Sequence, residues 1–161
     1  MAVKGPYNTS TLQAGMGASP SYYAASGVAV WEAVVDHSLA ANQMLVADTM
    51  PLFKIPAGIH LIGASVETII AEGAASTVDM GITGGDVDGY IDGATTNSVG
   101  VVVSGDAGTA EPVSMETSGR RTVAEELVSI LVAGATMDNA KVRYQVMGID
   151  ARPRVNATST L

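Results

Sequence analysis

The sequence predicts an all-β protein, an antiparallel β-sandwich of the jelly-roll kind, on three observations. Apolar residues recur with a period of two in several segments. Gly, Pro, Asn and Asp collect between those segments. No repeated helical crossover separates them. Short strands with frequent turns suit a double-sheet antiparallel fold rather than a parallel α/β one.

The elements follow in chain order. In VAVWEAVVD, Ala29, Trp31, Ala33 and Val35 share one face, with Glu32 and Asp36 on the other. MPLFKIPAG reads as a short strand, with Pro51 and Pro56 suited to its ends or to a sheet edge. IHLIGASVETIIAEG is a longer β-branched run in which Gly63 marks a kink or bulge. In TVDMGI, Val78, Met80 and Ile82 alternate with Thr77, Asp79 and Gly81; in SVGVVVS, Val99, Val101 and Val103 line one face. TVAEELVSILVAGA reads two ways. Thr122 three residues before Glu125 fits a helix capping box, whereas strand phasing sets Val123, Leu127 and Leu131 against Ala124, Val128, Ile130 and Val132. The strand is preferred, as one arm of a hairpin through GATMDNA to KVRYQVM. There Val142, Tyr144 and Val146 alternate with Lys141, Arg143 and Gln145. The total is about seven to nine strands.

Composition bounds the function. Hydrophobic residues make up 47% of the 161, but aromatics only 4%, so the core is aliphatic. Charged residues are 15%, below the usual ~25%. A surface this poor in charge suits packing against other proteins. The net charge of −8 and the scattered cations exclude a phosphate-binding stripe, so no nucleic-acid partner is expected, and an anionic membrane surface is disfavoured too. No apolar run approaches a membrane span. With no cysteine, thiolate metal sites and disulfides are excluded.

Three regions result: an N-terminal arm, residues 1–27; a sandwich domain, 28–150; and a polar tail, 151–161. The arm is rich in Gly, Ala, Ser and Thr and cannot pack a core alone. It carries Tyr7, Tyr22 and Tyr23, three of the five tyrosines, which suit an arm that orders on a partner.

The stretch GITGGDVDGYIDGATT offers Asp86, Asp88 and Asp92 as oxygen donors. D-x-D-G resembles the start of a calcium loop, but Tyr90 stands where the next ligand belongs and no Glu closes twelve residues. Glycines and aspartates are equally what tight turns demand, so the reading is a turn first and a weak calcium or sodium site second. His37 and His60 are the only histidines and stand far apart in sequence, which reads as structural rather than cupin-like. No G-x-S-x-G elbow occurs. Glu125 and Glu126 read as a solvated or inter-subunit face, and no catalytic residue is assigned.

Taken in order, LFKIPAGIHLIGASVETIIAEG, TVDMGITGGDVDGYIDGA and LVAGATMDNAKVRYQVMG resemble the small virion proteins of tailed bacteriophages that decorate or cement the head. The resemblance spans residues 51–149 and rests on turn and strand motifs. It implies a non-enzymatic, trimeric β-sandwich subunit without a cofactor, assembled in the host cytoplasm. Such a subunit would sit on the outer surface of the capsid and clamp major capsid proteins. The alternative is a carbohydrate- or receptor-binding β-sandwich of a tail or fibre. It would use the loop at 84–93 as its rim and Tyr90 as the aromatic platform.

Overall fold

The computed structural model describes residues 28–103 and 120–150. These described residues form eight strands: β1 (Val28–Asp36), β2 (Thr49–Ile55), β3 (Ile59–Ile70), β4 (Thr77–Ile82), β5 (Ile91–Thr95), β6 (Gly100–Val103), β7 (Glu126–Ala133) and β8 (Lys141–Asp150). One sheet has the order β1-β8-β3-β6 and the other β2-β7-β4-β5, and all pairings are antiparallel. This is the eight-stranded jelly roll. Within residues 122–135 the strand reading holds over Glu126–Ala133, and no helix forms there.

Alternation explains the two layers. Ala29, Trp31 and Val35 of β1 and Val142, Tyr144 and Val146 of β8 are buried, while Glu32 is exposed. From the other sheet Val128, Ile130 and Val132 of β7 and Val78 and Met80 of β4 meet them. A strand that holds strict alternation keeps one face inward for its whole length. Two strands change phase instead. In β2 the register shifts between Pro51 and Phe53, so Leu52 and Phe53, although adjacent, are both buried. In β3 it shifts between Leu61 and Gly63, the bulge expected there. Leu61 points inward before it and Ala64 and Val66 after it, while Ile62 is exposed.

Two expectations fail. β7 and β8 are not a hairpin, because they belong to different sheets. Residues 134–140 carry the chain across the sandwich: the backbones of Met44 and Met137 bond each other, N–H to C=O in both directions, at 2.9 and 2.8 Å. β7 then lies between β2 and β4, and β8 between β1 and β3, so each has two partners where a hairpin edge would have one. Of the successive strand pairs only β4 and β5 are hydrogen-bonded neighbours. The second failure is the valine face of β6. Val99 is 70% and Val101 56% exposed. β6 is an edge strand in which Val101 pairs with Glu67, whose side chain is half exposed on the outer face of the sheet.

The crossing at 134–140 is fastened by one carboxylate. Glu72, beyond the end of β3, is buried, and its Oε2 accepts the backbone N–H groups of Asp138, Asn139 and Ala140 at 2.9, 2.9 and 3.1 Å. Its Oε1 accepts that of Gly73 at 3.0 Å. Burial pushes this carboxyl up, but the four donors outweigh it and hold it below the usual range. Its stabilisation is therefore full above the unfolded value of 4.5 and is lost as pH falls below it. Glu72→Gln turns an amide N–H₂ toward donors. It is expected to cost about 2 kcal/mol in denaturant titration at pH 7, with the deficit shrinking at acid pH.

Candidate functional site

The acidic stretch forms the connection between β4 and β5. Ile82 N–H donates to Asp86 O at 2.6 Å, Gly85 N–H to Ile82 O at 3.0 Å and Tyr90 N–H to Met80 O at 2.8 Å. Gly84 and Gly93 have φ of +75° and +65°, the left-handed region that glycine tolerates. The loop folds back over Gly81 so closely that a Cβ there would collide with the backbone of Asp86 and Val87. These are the turn functions that glycine-rich sequence predicts.

The carboxylates are placed less simply. A residue not singled out in the sequence, Asp79, joins them, and its Oδ1 accepts the Gly93 N–H at 2.8 Å. Burial first, and then the charges of Asp92 and Asp88, push Asp79 up. Asp86 is pushed up chiefly by a side-chain hydrogen bond shared with Asp88, and further by burial and the Asp88 charge. Among the described residues no three His, Asp or Glu side chains are gathered in a way that could hold a metal ion. Calcium at about 5 mM is therefore expected to move the melting temperature by less than about 2 °C; a rise above about 5 °C would show ligation.

Beside this loop lies a polar cluster. Arg120 grips Glu126 with both ends of its guanidinium, Nη1 to Oε1 at 2.6 Å and Nη2 to Oε2 at 2.8 Å. The Tyr90 hydroxyl donates to Glu126 Oε2 at 2.6 Å and accepts from Arg120 Nη2 at 3.1 Å. The guanidinium carbon sits 5.8 Å from the Tyr90 ring centroid. Burial alone raises the Glu126 carboxyl, but Arg120 and Tyr90 outweigh it and hold it down, while Arg120 is held up chiefly by its bonds to Glu126. Burial, reinforced by Glu126, pushes the Tyr90 hydroxyl up. The Arg120 carbonyl accepts the Leu61 N–H at 2.8 Å, so the cluster ties β3, β7 and the start of β5 together.

Two expectations are corrected by this cluster. Tyr90 is fully buried, so it offers no aromatic platform to a sugar. Of the two adjacent glutamates only Glu125 is solvated, paired with Lys54 at 2.7 Å, with both side chains more than half exposed. Glu126 is 8% exposed. Its parity was the available signal, because it is in phase with Val128, Ile130 and Val132.

The histidines stand at opposite ends of the first sheet, His37 beyond the Asp36–Lys141 pair and His60 opposite Ile149. His37 is buried, with Nδ1 2.8 Å from Asn42 O and Nε2 3.2 Å from the Tyr144 hydroxyl. Both ring nitrogens are thus engaged, and neither serves a nucleophile. Burial holds this ring below its ordinary 6.5, so its contribution to stability is full above that value and fades as pH falls through the lowered one. An open depression of ≈ 400 Å³ is lined by Ala57, Gly58, Arg121, Thr122 and Val123 and carries no carboxylate or imidazole. Tyr7, Tyr22 and Tyr23 lie outside the described residues.

With this geometry in hand, solved structures supply likenesses of fold. A chain of the cyanophage Pam1 capsid asymmetric unit matches with a TM-score of 0.55 at 17% identity, over 82% of this chain and 91% of that one. The two chains share a fold. A chain of the Ralstonia phage GP4 capsid matches at 0.55 and 16% identity, over 84% and 92% of the two chains. One from the acid-stable capsid of Helicobacter pylori bacteriophage KHP30 matches at 0.52 and 14%, over 77% and 88%. Neither a family model nor a curated protein matches the sequence.

Proposed function

We propose that the chain is a non-enzymatic virion structural protein. It decorates the outer surface of a tailed-phage head as a trimer and cements neighbouring major capsid proteins. The observation that carries this reading is the agreement of fold, over 77% to 84% of this chain, with chains of three phage capsid structures. The surface supports it. The connection between β1 and β2 exposes Leu39, Leu45 and Val46, each more than half accessible. That connection is fixed by the Leu45 N–H bond to Asp48 Oδ2 at 3.0 Å and the Asn42 Nδ2 bond to Asp36 O at 3.0 Å. Apolar side chains on a rigid loop are suited to protein contact. Many copies on a symmetric shell gain avidity, so each contact can be modest.

The test uses heads of the phage that carries this gene, assembled without the chain. Purified chain should sediment with them saturably and raise the temperature at which they rupture. Heads that neither bind the chain nor gain heat resistance would sink the proposal.

A further inference from the structure

A sandwich of two open sheets has four edge strands, and unprotected edges invite another strand. Three of the four are blunted. β2 carries Pro51 and a register shift. β5 has five residues, a shifted register against β4 and Gly93 at positive φ. β6 has only four residues. β1 differs: nine residues, nine consecutive pairs with β8, no bulge, no proline, no lysine or arginine. No other described strand pairs with it. On the outer face it presents Val30, Glu32 and Val34, of which Glu32 and Val34 are exposed.

We propose that the β1 edge receives residues 1–27 of a second copy of this chain as an added antiparallel strand. Three observations select that occupant. First, reach: stretched out, 27 residues span at most about 90 Å, and nine strand residues about 30 Å, so the arm can cross to a neighbour and still run the length of its β1. Second, charge. The described residues hold thirteen carboxylates against five lysines and arginines, whereas residues 1–27 hold Lys4 and no Asp or Glu. The arm is a cationic segment facing an acidic domain; the attraction is to that domain as a whole, since Glu32, the middle residue of β1, already accepts from Gln145 Nε2 at 2.6 Å and lies 3.6 Å from Arg143 Nε. Third, the full-length self-pairing of β1 about a twofold axis, centred on its middle residue, is opposed, because it would set Glu32 against Glu32. Donor and acceptor are therefore different surfaces, and the contact is heterologous. Such contacts close into rings, which is compatible with a trimer in which each arm crosses to the next subunit. Main-chain bonds supply the affinity and alternate side chains the specificity.

The inference rests on reading the chain as an assembling subunit, but its test needs no capsid, so the two can fail separately. The full chain is examined by sedimentation equilibrium. The substitution Val34→Lys places a lysine on the edge and is expected to weaken self-association at least tenfold. Val101→Lys, at a more exposed position on the blunted edge β6, should leave it unaltered. Lys4→Glu, which reverses the arm's one cation, should weaken it by about tenfold, and the loss should shrink at high salt. Melting curves confirm that each variant is folded. A chain that is monomeric at all concentrations, indifference to Val34→Lys, or indifference to Lys4→Glu would each overturn the proposal.

Discussion

Alanine at Gly81 is expected to lower the melting temperature by about 10 °C. Gly81 lies in β4 opposite Ser129 of β7, under the backbone of Asp86 and Val87. A methyl group there has no flexible neighbour to displace. Either the 83–90 connection lifts off β4 or β4 moves away from β7. Overpacking of this kind costs about 3 kcal/mol, and for a domain of this size each kcal/mol is worth a few degrees. Lifting the connection would also pull on Ile82, whose N–H bonds Asp86 O, and on Thr83, whose N–H bonds Leu127 O at 2.8 Å. Gly73→Ala is the matching control. Nothing lies within 4 Å of a Cβ at that position, and the expected change is under about 1 °C. If both variants melt together, the close approach at Gly81 carries no energetic weight.

The second large effect comes from Arg120→Met. Methionine keeps much of the volume and removes the charge, leaving Glu126, with a side chain 9% exposed, facing only the Tyr90 hydroxyl. Removing one member of a largely buried ion pair costs about 3 kcal/mol or more, because the other charge is stranded. The paired substitution Arg120→Met/Glu126→Gln should recover most of that loss, since the amide needs no cation. Acid provides an independent check. Arg120 helps hold Glu126 below its unfolded value of 4.5, so the pair stabilises the fold above that value and its contribution disappears as pH falls. In the single variant the carboxyl can take up a proton and become neutral. The gap between wild type and Arg120→Met should therefore be widest near pH 7 and should narrow below about pH 4. A gap independent of pH would mean that packing, not charge, is what Arg120 supplies.

Much of the sandwich was legible in the residues because alternation is a local property. Val142, Tyr144 and Val146 declare their face without reference to any other strand, and the Gly63 irregularity in β3 was visible as a glycine inside a β-branched run. Partnership is not local. GATMDNA has the composition of a hairpin turn, and nothing within it tells that Glu72, 66 residues before Asp138, will capture its N–H groups and draw it across the sandwich. The face of β6 fails for a related reason. A row of valines predicts burial only when the strand is covered, and an edge strand's outer face need not be. Of the acidic loop, the turn chemistry could be read from glycine and aspartate. The approach of Asp79 could not, because it belongs to the neighbouring strand. Glu126 was readable by parity, but an adjacent pair of glutamates looks like surface until the alternation is followed through β7.

The position of β8 sets a timetable. It is the central partner of both β1 and β3, yet 70 residues lie between the end of β3 at Ile70 and Lys141, so among the described strands β1 joins its sheet only through the last in chain order. Until residues 141–150 are made, β1 has no described strand to pair with, and the first layer is limited to the β3–β6 pair. Long-range pairing of this kind is slow to form and leaves apolar strands uncovered meanwhile. A chain stopped short of β8 would thus be left with the second layer and an unjoined β1 rather than a smaller copy of the whole.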